Sequence, residues 1–222
     1  MINNDWEVIN NERRGEILSK YYSYEPCQGH GLPHDPFNAI IGPRAIGWIS
    51  TQSKTGIDNL APYSFFNAFN YTPPIIGFSS IGYKDTLKNI SDTGEFVWNL
   101  VTHDLVEAMN QSCMPCPPEV SEFEIAGLSR TKSTLVNPPR VAEAKVAFEC
   151  KCTEIIQLQG ISGVKVESWL ILGEVVQAHI EQTCLKDGIY QTAEVGHVLR
   201  GGGSGDYFSI GKEQLFKLNR PK

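Results

Sequence analysis

The segment Ser79–Ile90, which reads SSIGYKDTLKNI, combines residue types that suit a phosphate group. A strand-like run ends in serines, and a turn at Gly82 leads to Lys84, Asp85 and Thr86 at a predicted helix start. Backbone N–H groups at a helix N-terminus are unpaired and lie at the positive end of the helix dipole. With the Lys84 charge and the Thr86 hydroxyl, they suit a phosphate monoester. The alternative is an ordinary helix with Asp85 or Thr86 as its N-cap, which is a common arrangement.

A second segment, 48–67, carries side chains that suit a flat heteroaromatic ring. Aromatic, hydroxyl and amide groups surround a polar turn within it, namely Trp48, Ser50, Thr51, Ser64 and Asn67. Such rings need apolar walls and a few well-placed hydrogen bonds. The alternative is a plain hairpin of a β-barrel with polar residues at its ends. Neither GxGxxG nor GxxxxGK[ST] occurs at a strand-to-helix junction, so neither a Rossmann dinucleotide site nor a P-loop is predicted.

Two groups of sulfur and imidazole side chains could also do chemistry. Cys113 and Cys116 have the spacing of a redox dithiol, but they follow a predicted helix and precede two prolines, whereas reactive thiolates often lie at helix starts. We therefore expect structural thiols. Cys27, His30 and His34 have spacings that a metal could use, but they offer three ligands in a loop. We expect no metal site.

The composition narrows the class of protein. Of 222 residues, 41% are hydrophobic, which is enough for a core, and the net charge of −6 argues against a nucleic-acid partner. The N-terminus shows no basic segment followed by an apolar run, and no apolar stretch reaches the roughly 18 residues of a membrane helix. Six cysteines in a chain of this length do not indicate a disulfide framework. We expect a cytoplasmic protein with reduced thiols and no membrane partner.

Strand patterns outnumber helix patterns along the chain. Apolar and β-branched runs predict strands at 45–51, 75–80, 96–101, 146–153 and 168–180, and helices are predicted to begin near Thr86 and His103. Alternation along 146–153 predicts a strand with one buried face, formed by Val146, Phe148, Cys150 and Cys152. Strands in sequence without regular crossover helices favour a closed antiparallel barrel. Residues 1–41 are predicted to form an extension packed on the domain 42–222, with a short amphipathic helix near residues 9–18.

The order of the motifs resembles the flavin reductase-like family, whose members have an FMN-binding split barrel. The resemblance rests on eight segments in the family's order: GPRAIGWIST (42–51), NLAPYSFFNAF (59–69), PPIIGFS (73–79), KDTLKNI (84–90), GEFVWNL (94–100), VSEFEIAGL (120–128), PPRVAEAKVAFEC (138–150) and LGEVVQAHI (172–180). It implies a mainly β fold, a split β-barrel of antiparallel Greek-key type with a few peripheral helices. The most similar subgroup contains flavoredoxins and the reductase components of two-component flavin monooxygenases.

The resemblance also implies which residues hold FMN. The strand and turn with Trp48, Ser50 and Thr51 would border the flavin, and the Lys-Asp-Thr unit would hold the phosphate. The residues implied in the site are Trp48, Ser50, Thr51, Ala61, Pro62, Tyr63, Ser64, Asn67, Lys84, Asp85, Thr86 and Asn89. Hydride transfer between a nicotinamide and flavin needs no protein nucleophile, so no catalytic residue is predicted.

The resemblance leaves the role of three sequence features open. Relatives close with an Arg-x-Gly-Gly-x-x-Tyr element, whereas this chain reads LRGGGSGDY over 199–207, with one extra residue between Arg200 and Tyr207. The Cys113–Cys116 pair is rare among relatives. His179, at the end of a predicted strand, is either a structural strand-end residue or a side chain that approaches the nicotinamide.

The function that the resemblance implies is that of an NAD(P)H:flavin oxidoreductase, which transfers hydride from NADH or NADPH to FMN. A flavoredoxin-like electron carrier with tightly bound FMN and little direct nicotinamide activity is the alternative. A barrel that has lost its flavin and serves as a binding module is a third hypothesis. The expected partners are a second copy of the chain in a homodimer, and a monooxygenase or another electron acceptor.

Overall fold

The computed structural model describes residues 20–221, and it divides the chain into two compact units after Pro36. In the first unit, a short 3-10 helix spans Pro26–Gln28, and the Tyr22 hydroxyl donates to the His30 carbonyl at 2.9 Å. The predicted helix near residues 9–18 lies outside the described residues. The second unit begins at Phe37, five residues before the predicted boundary. The packing of the extension on the barrel stays a prediction.

The second unit is built mainly from strands. In chain order they are β1 (Arg44–Ala45), β2 (Gly47–Gln52), β3 (Asp58–Tyr63), β4 (Phe66–Asn70), β5 (Ile75–Ile81), β6 (Glu95–Asn99), β7 (Arg130–Thr131), β8 (Arg140–Val141), β9 (Val146–Gln159), β10 (Lys165–Ile180), β11 (Leu185–Lys186), β12 (Ile189–Tyr190), β13 (Val198–Arg200) and β14 (Tyr207–Ser209). Each strand predicted from the sequence is present within this set.

Helices are short and lie between strands. The α-helices are α1 (Phe37–Ile40), α2 (Asp85–Thr93), α3 (Val106–Gln111), α4 (Glu122–Ile125) and α5 (Thr192–Val195), and 3-10 turns span His103–Leu105, Gln182–Cys184 and Lys212–Gln214. The helix α2 begins one residue before Thr86, as its amphipathic pattern predicts, and ends at Gly94, whose φ of 74° lets its N–H bond the Ile90 carbonyl. No helix within residues 20–221 is long and apolar enough to cross a membrane.

Seven strands form one antiparallel sheet in the order β3-β2-β6-β9-β10-β5-β4. Three hairpins build it: β2–β3, β4–β5 and the long β9–β10 pair. Strands β3 and β4 are the two edge strands of this sheet. Within the described part of the chain they do not pair with each other, so the barrel is not closed. The architecture is that of a split barrel, which confirms the predicted fold class and corrects the expectation of full closure.

Both faces of the sheet near β2 are covered, which decides where the site can lie. On one face, Ile49 packs in a cluster with Phe78 and Phe96. On the other, Trp48 and Leu60 pack against residues of α3, α4 and nearby segments. Successive residues of a strand point to opposite faces, so covering both faces buries Trp48 and Ile49 together.

The prediction of one buried face for the start of β9 is wrong. Ala147 and Glu149, on the face expected to be exposed, are both buried. The segment 133–141 covers that face: Val136 packs with Ala147, and the backbone N–H groups of Thr134 and Leu135 bond the Glu149 carboxylate. Alternation in sequence cannot reveal a loop from elsewhere in the chain that covers the second face.

Candidate functional site

A cleft of about 490 Å³ opens where β3, the start of α2 and the segment after α3 meet. It brings together six of the twelve residues expected at the flavin, namely Ala61, Pro62, Tyr63, Lys84, Asp85 and Thr86. Two separate sequence segments, the second half of the β2–β3 hairpin and the Lys-Asp-Thr unit, therefore border one cavity. The other wall comes from residues 112–116 and from Glu122, which the sequence did not indicate.

The start of α2 is not capped by a side chain. Lys84 is the N-cap residue, with an extended backbone (φ −96°, ψ 170°), and no side chain bonds the N–H groups of the first turn. The alternative interpretation, in which Asp85 or Thr86 is the N-cap, is therefore wrong. The uncapped helix start and the exposed Lys84 side chain border the cleft, together with the carboxylates of Asp85 and Glu122.

A buried polar atom lies behind the wall. Within residues 20–221, the buried Tyr63 hydroxyl makes no hydrogen bond of good geometry, and the Thr86 and Ser80 hydroxyls are its polar neighbours. Burial raises the pKa of Tyr63, so the hydroxyl keeps its proton. The tyrosine ring packs on Phe78, with ring centroids 4.6 Å apart, which fixes its orientation.

Thr86 faces inward and not toward the opening of the cleft. Its hydroxyl donates to Asn59 Oδ1 at 2.8 Å, and Thr51 donates to the same oxygen at 3.3 Å. The Asn89 amide donates in turn to Thr51 Oγ1 at 3.1 Å. These hydrogen bonds join β2, β3 and α2 to one another, and the roles of the three residues at a ligand stay predictions. In this arrangement their hydrogen bonds position the helix start.

Four other predicted residues do not line the cleft, although Trp48 contacts Ser112 in its wall. The Trp48 indole N–H donates to Ser112 Oγ at 3.0 Å, and the Ser50 hydroxyl donates to the Pro139 carbonyl at 2.5 Å, both in buried positions. Ser64 follows the end of β3, where its carbonyl accepts from Arg44 at 3.0 Å. Asn67 is exposed on β4. The structure brings none of these four to the cleft that contains Lys84.

Glu122 anchors the cleft wall and was missed by sequence reasoning. Its Oε2 accepts from Asn59 Nδ2 at 2.8 Å and from the Leu60 N–H at 2.9 Å, while Cys116 Sγ lies 3.6 Å from its Oε1. The carboxylate is thus turned toward protein donors. Its segment, 120–128, was one of the motifs that carry the resemblance, and an acidic residue within a mostly apolar motif was the available signal.

His179 is joined to a buried carboxylate. Its Nε2 lies 2.6 Å from Glu149 Oε1, and the N–H groups of Thr134 and Leu135 bond the same carboxylate at 2.7 Å and 2.6 Å. Burial alone would raise the pKa of Glu149, but these hydrogen bonds outweigh it and hold the pKa below its usual value. His179 does not line the cleft of about 490 Å³, so the geometry favours its structural interpretation.

A larger cleft, of about 560 Å³, contains none of the predicted site residues. It lies between His103–Asn110 and Ser204–Ser209 and includes the altered segment before Tyr207. Arg200 itself is held by its own loop, because its guanidinium donates to the carbonyls of Gly202 at 3.0 Å and Asp206 at 2.8 Å. Its charge is therefore directed at backbone oxygens. Size alone does not identify the site, and the smaller cleft has the uncapped helix start and the Lys84 side chain.

A metal centre finds no support in the described part of the chain. Between residues 20 and 221, no group of three or more His, Cys, Asp and Glu side chains is arranged to hold an ion. Cys27, His30 and His34 all lie within this range. His30 Nδ1 instead accepts from the Leu32 N–H at 3.0 Å.

Comparisons with known proteins agree with this architecture. Residues 42–198 match the family model described as flavin reductase like domain. An uncharacterized protein of Halalkalibacterium halodurans is 38% identical over 194 residues, which cover 83% of this chain and 90% of that protein. The match to the family model covers more than half of the chain and contains β2, β3, α2 and the segment that bears Cys113 and Cys116.

Solved structures show the same fold. Nitrilotriacetate monooxygenase component B from Bacillus cereus is 30% identical, with a TM-score of 0.74 over 82% of this chain and 91% of that chain. A Shewanella frigidimarina protein described as a flavin reductase with split barrel domain is 25% identical, with a TM-score of 0.74 over 83% and 90%. A flavoredoxin of Desulfovibrio vulgaris shares the fold at 20% identity, with a TM-score of 0.69 over 79% and 90%. With its split-barrel architecture and a family match over residues 42–198, this chain belongs to the flavin reductase-like family.

Proposed function

We propose that this protein is an NAD(P)H:flavin oxidoreductase that binds FMN in the cleft of about 490 Å³ between β3 and the start of α2. The observation that carries the proposal is the meeting, in one cavity, of Ala61–Tyr63 with the uncapped helix start at Lys84. Membership of the flavin reductase-like family supports the same ligand class. FMN has a planar ring system and a phosphate monoester, and the two halves of the cleft suit these two parts.

Each part of the cleft has a role that follows from its chemistry. Lys84 and the first-turn N–H groups of α2 would hold the phosphate, since both are positive. Pro62, Met114 and Pro115 provide apolar surface for the ring and exclude water from it. Tyr63 would border the ligand, while its hydroxyl stays buried behind the wall. When bound, FMN supplies the acceptor for a hydride from the nicotinamide.

The hydrogen bonds around Asn59 give the site its rigidity. Asn59 accepts from Thr86, at the start of α2, and donates to Glu122, at the start of α4. Because Asn59 lies on β3, one side chain fixes the distance between the strand and both helices. We therefore propose that Thr86 contributes to flavin binding by positioning the helix, and that Lys84 contributes by contact. A site held this way loses little conformational entropy when the ligand binds.

An absorbance spectrum of the purified protein with added FMN, before and after anaerobic NADH or NADPH, tests the proposal. We expect saturable FMN binding and loss of the oxidised flavin absorbance after the nicotinamide is added. Binding without reduction by either nicotinamide would favour the alternative, an electron carrier of the flavoredoxin type. Failure to bind FMN would contradict both and favour a barrel that has lost its flavin.

The position of the phosphate is tested with Lys84→Ala. A charge-assisted contact contributes about 1.5 kcal/mol, so we expect the dissociation constant for FMN to rise roughly 10-fold. Riboflavin, which lacks the phosphate, should bind both proteins equally. Lys88→Ala is the matched control, because Lys88 is on the same helix but pairs with Asp92 at 2.9 Å. An equal loss of riboflavin affinity in Lys84→Ala would contradict the assignment.

We further propose that the protein is a homodimer that passes reduced flavin to a partner monooxygenase. The tip of the β9–β10 hairpin exposes Ile161, Val164 and Val166, which is apolar surface suited to a second copy. The name of the Bacillus cereus structure suggests the oxygenase partner. The six cysteines, all unpaired, fit a cytoplasmic location. Light scattering that gives the mass of one chain would contradict the dimer.

A further inference from the structure

Two thiols that the proposed hydride transfer does not use lie in the wall of the flavin cleft. Cys113 and Cys116 both line it, on the segment between α3 and α4. Cys113 is exposed, and Cys116 is half-buried. The sequence predicted structural thiols, because the pair follows a helix end. The tertiary structure adds that both residues line a ligand-sized cavity, while their sulfurs lie 3.8 Å and 3.5 Å from the carbonyls of Met109 and Val120.

The backbone around the pair has few internal hydrogen bonds. The N–H groups of Cys113 and Met114 bond the carbonyls of Asn110 and Gln111 at 3.1 Å, which ends the helical turn. Beyond them, Pro115, Pro117 and Pro118 have no N–H to donate. A disulfide needs Cα atoms about 4.4–6.8 Å apart, and a segment without a hydrogen-bonded ladder can adjust toward that distance.

The two thiols differ in their surroundings. Burial raises the pKa of Cys116 to about 11, and the carboxylate of Glu122, 3.6 Å from the sulfur, adds to the effect. Burial also raises the pKa of Cys113, but the positive charge of Lys84 acts in the opposite direction. Asp85 is the other charged group near Cys116. Cys113 is thus the more exposed residue, and the Lys84 charge favours its thiolate.

The other cysteines offer no such pair. Cys150 and Cys184 are buried, and Cys152 points its sulfur at the Glu154 carbonyl, 3.6 Å away on β9. Cys27 is exposed but belongs to the first unit. Of the six cysteines, all of which lie in the described part of the chain, Cys113 and Cys116 are the two that line the cleft of about 490 Å³.

We propose that Cys113 and Cys116 form a thiol–disulfide exchange site whose reactant is a small-molecule disulfide. In the first step, the Cys113 thiolate attacks one sulfur of the small disulfide. A mixed disulfide forms, and the displaced thiolate takes up the proton that Cys113 lost. In the second step, the Cys116 thiolate attacks Cys113 Sγ, the intramolecular S–S bond forms, and a second small thiol leaves. Two protein thiols are oxidised and one small disulfide is reduced to two thiols, so electrons and protons balance.

The experiment uses the full chain with Cys27→Ser, which removes the exposed cysteine outside the cleft. The protein, without added flavin, is equilibrated with graded ratios of oxidised to reduced glutathione, quenched with a thiol-alkylating reagent and analysed by intact mass and peptide mapping. We expect two fewer alkylated thiols, a mass loss of about 2 Da from the S–S bond, and a cross-linked peptide containing both cysteines. Cys152→Ser should behave as this parent protein does.

Single variants test the order of the steps. Cys116→Ser should stop at a mixed disulfide between Cys113 and glutathione, because the second nucleophile is missing. Cys113→Ser should react far more slowly, because Cys116 is less accessible. Glu122→Gln should speed ring closure several-fold, because it removes the carboxylate charge that raises the pKa of Cys116.

Three results would overturn the proposal. The first is that both cysteines stay fully alkylatable at every glutathione ratio. The second is that oxidation joins Cys113 to another molecule of the chain. The third is that Cys116→Ser gives no mixed disulfide. Because the assay contains no flavin, a failure of the proposed flavin reductase function leaves these results unaffected.

A consequence for the cleft rests on the proposed function. Bond formation holds the two sulfurs about 2.0 Å apart, and both cysteines line the cavity that would receive FMN. The dissociation constant for FMN should therefore differ several-fold between the disulfide and dithiol forms. Equal dissociation constants for FMN in the disulfide and dithiol forms would contradict this effect.

Discussion

Glu149 on β9 offers a quantitative test of how the barrel holds a buried charge. The carboxylate is fully buried and accepts three hydrogen bonds, from Thr134, Leu135 and His179, all within 2.7 Å. Glu149→Gln keeps the shape of the side chain but replaces one acceptor oxygen with an N–H₂ donor. Whichever way the amide is turned, one backbone N–H then faces another donor.

The expected loss follows from these contacts. One buried donor without an acceptor costs about 1–3 kcal/mol, and the remaining bonds lose the strength that an ionised acceptor gives, roughly 0.5–1 kcal/mol each. We therefore expect the free energy of unfolding at pH 7 to fall by about 2–5 kcal/mol, a large share of the stability of a typical domain. Urea unfolding followed by tryptophan fluorescence measures it.

The same variant should change the pH dependence. The pKa of Glu149 in the folded protein lies below its ordinary value of 4.5. Its stabilisation is therefore complete above about pH 4.5 and is lost as the pH falls through the folded-state pKa. The variant has no carboxyl group at this position. The difference in the free energy of unfolding between the variant and the unmodified protein should therefore shrink when unfolding is repeated below pH 4.5.

The matched control is Glu154→Gln, an exposed residue of the same strand, for which the change should stay within about 0.5 kcal/mol. Two results would refute the reasoning: a fall of less than about 0.5 kcal/mol in the free energy of unfolding of Glu149→Gln, or a difference in that free energy that does not change with pH.

His179→Ala, which removes one of the three hydrogen-bond partners of Glu149, should lower the free energy of unfolding and leave FMN-dependent NADH oxidation unchanged. Loss of activity at unchanged stability would instead favour contact with the nicotinamide.

Two further substitutions test the packing around the site. A Cβ at Gly173 would lie 2.4 Å from Phe96 Cε1 in the core, so Gly173→Ala should cost about 1–3 kcal/mol, measured by urea unfolding. Gly160→Ala, where the nearest atom would be 3.9 Å away, is the control, and equal losses would contradict this account. Ser112→Ala leaves the buried Trp48 indole N–H without its acceptor and should cost about 1–3 kcal/mol; an unchanged unfolding midpoint would show that the indole finds another partner.

The sequence by itself determined the elements that build the site. Alternating and apolar runs predicted the long strands, and the pattern around Thr86 predicted the helix that starts at Asp85. The order of motifs indicated the family and the fold. These features follow from local patterns, because strand and helix periods are repeated in neighbouring residues.

Tertiary structure decided which way the polar side chains face. A strand-end hydroxyl such as Thr51 can meet a ligand or another buried side chain, and only the approach of Asn59 and Asn89 shows that it meets the second. Glu149 is buried because the distant segment 133–141 covers its strand.

The same reason explains the composition of the cleft. Lys84 and Tyr63 were expected at the site and line it, whereas nothing in the sequence placed Cys113 and Glu122 beside them. Which residues share a cavity depends on contacts between parts of the chain far apart in sequence, and a single sequence does not record those contacts. The sequence therefore determined the helix start that carries Lys84 and Thr86, and the fold decided what surrounds it.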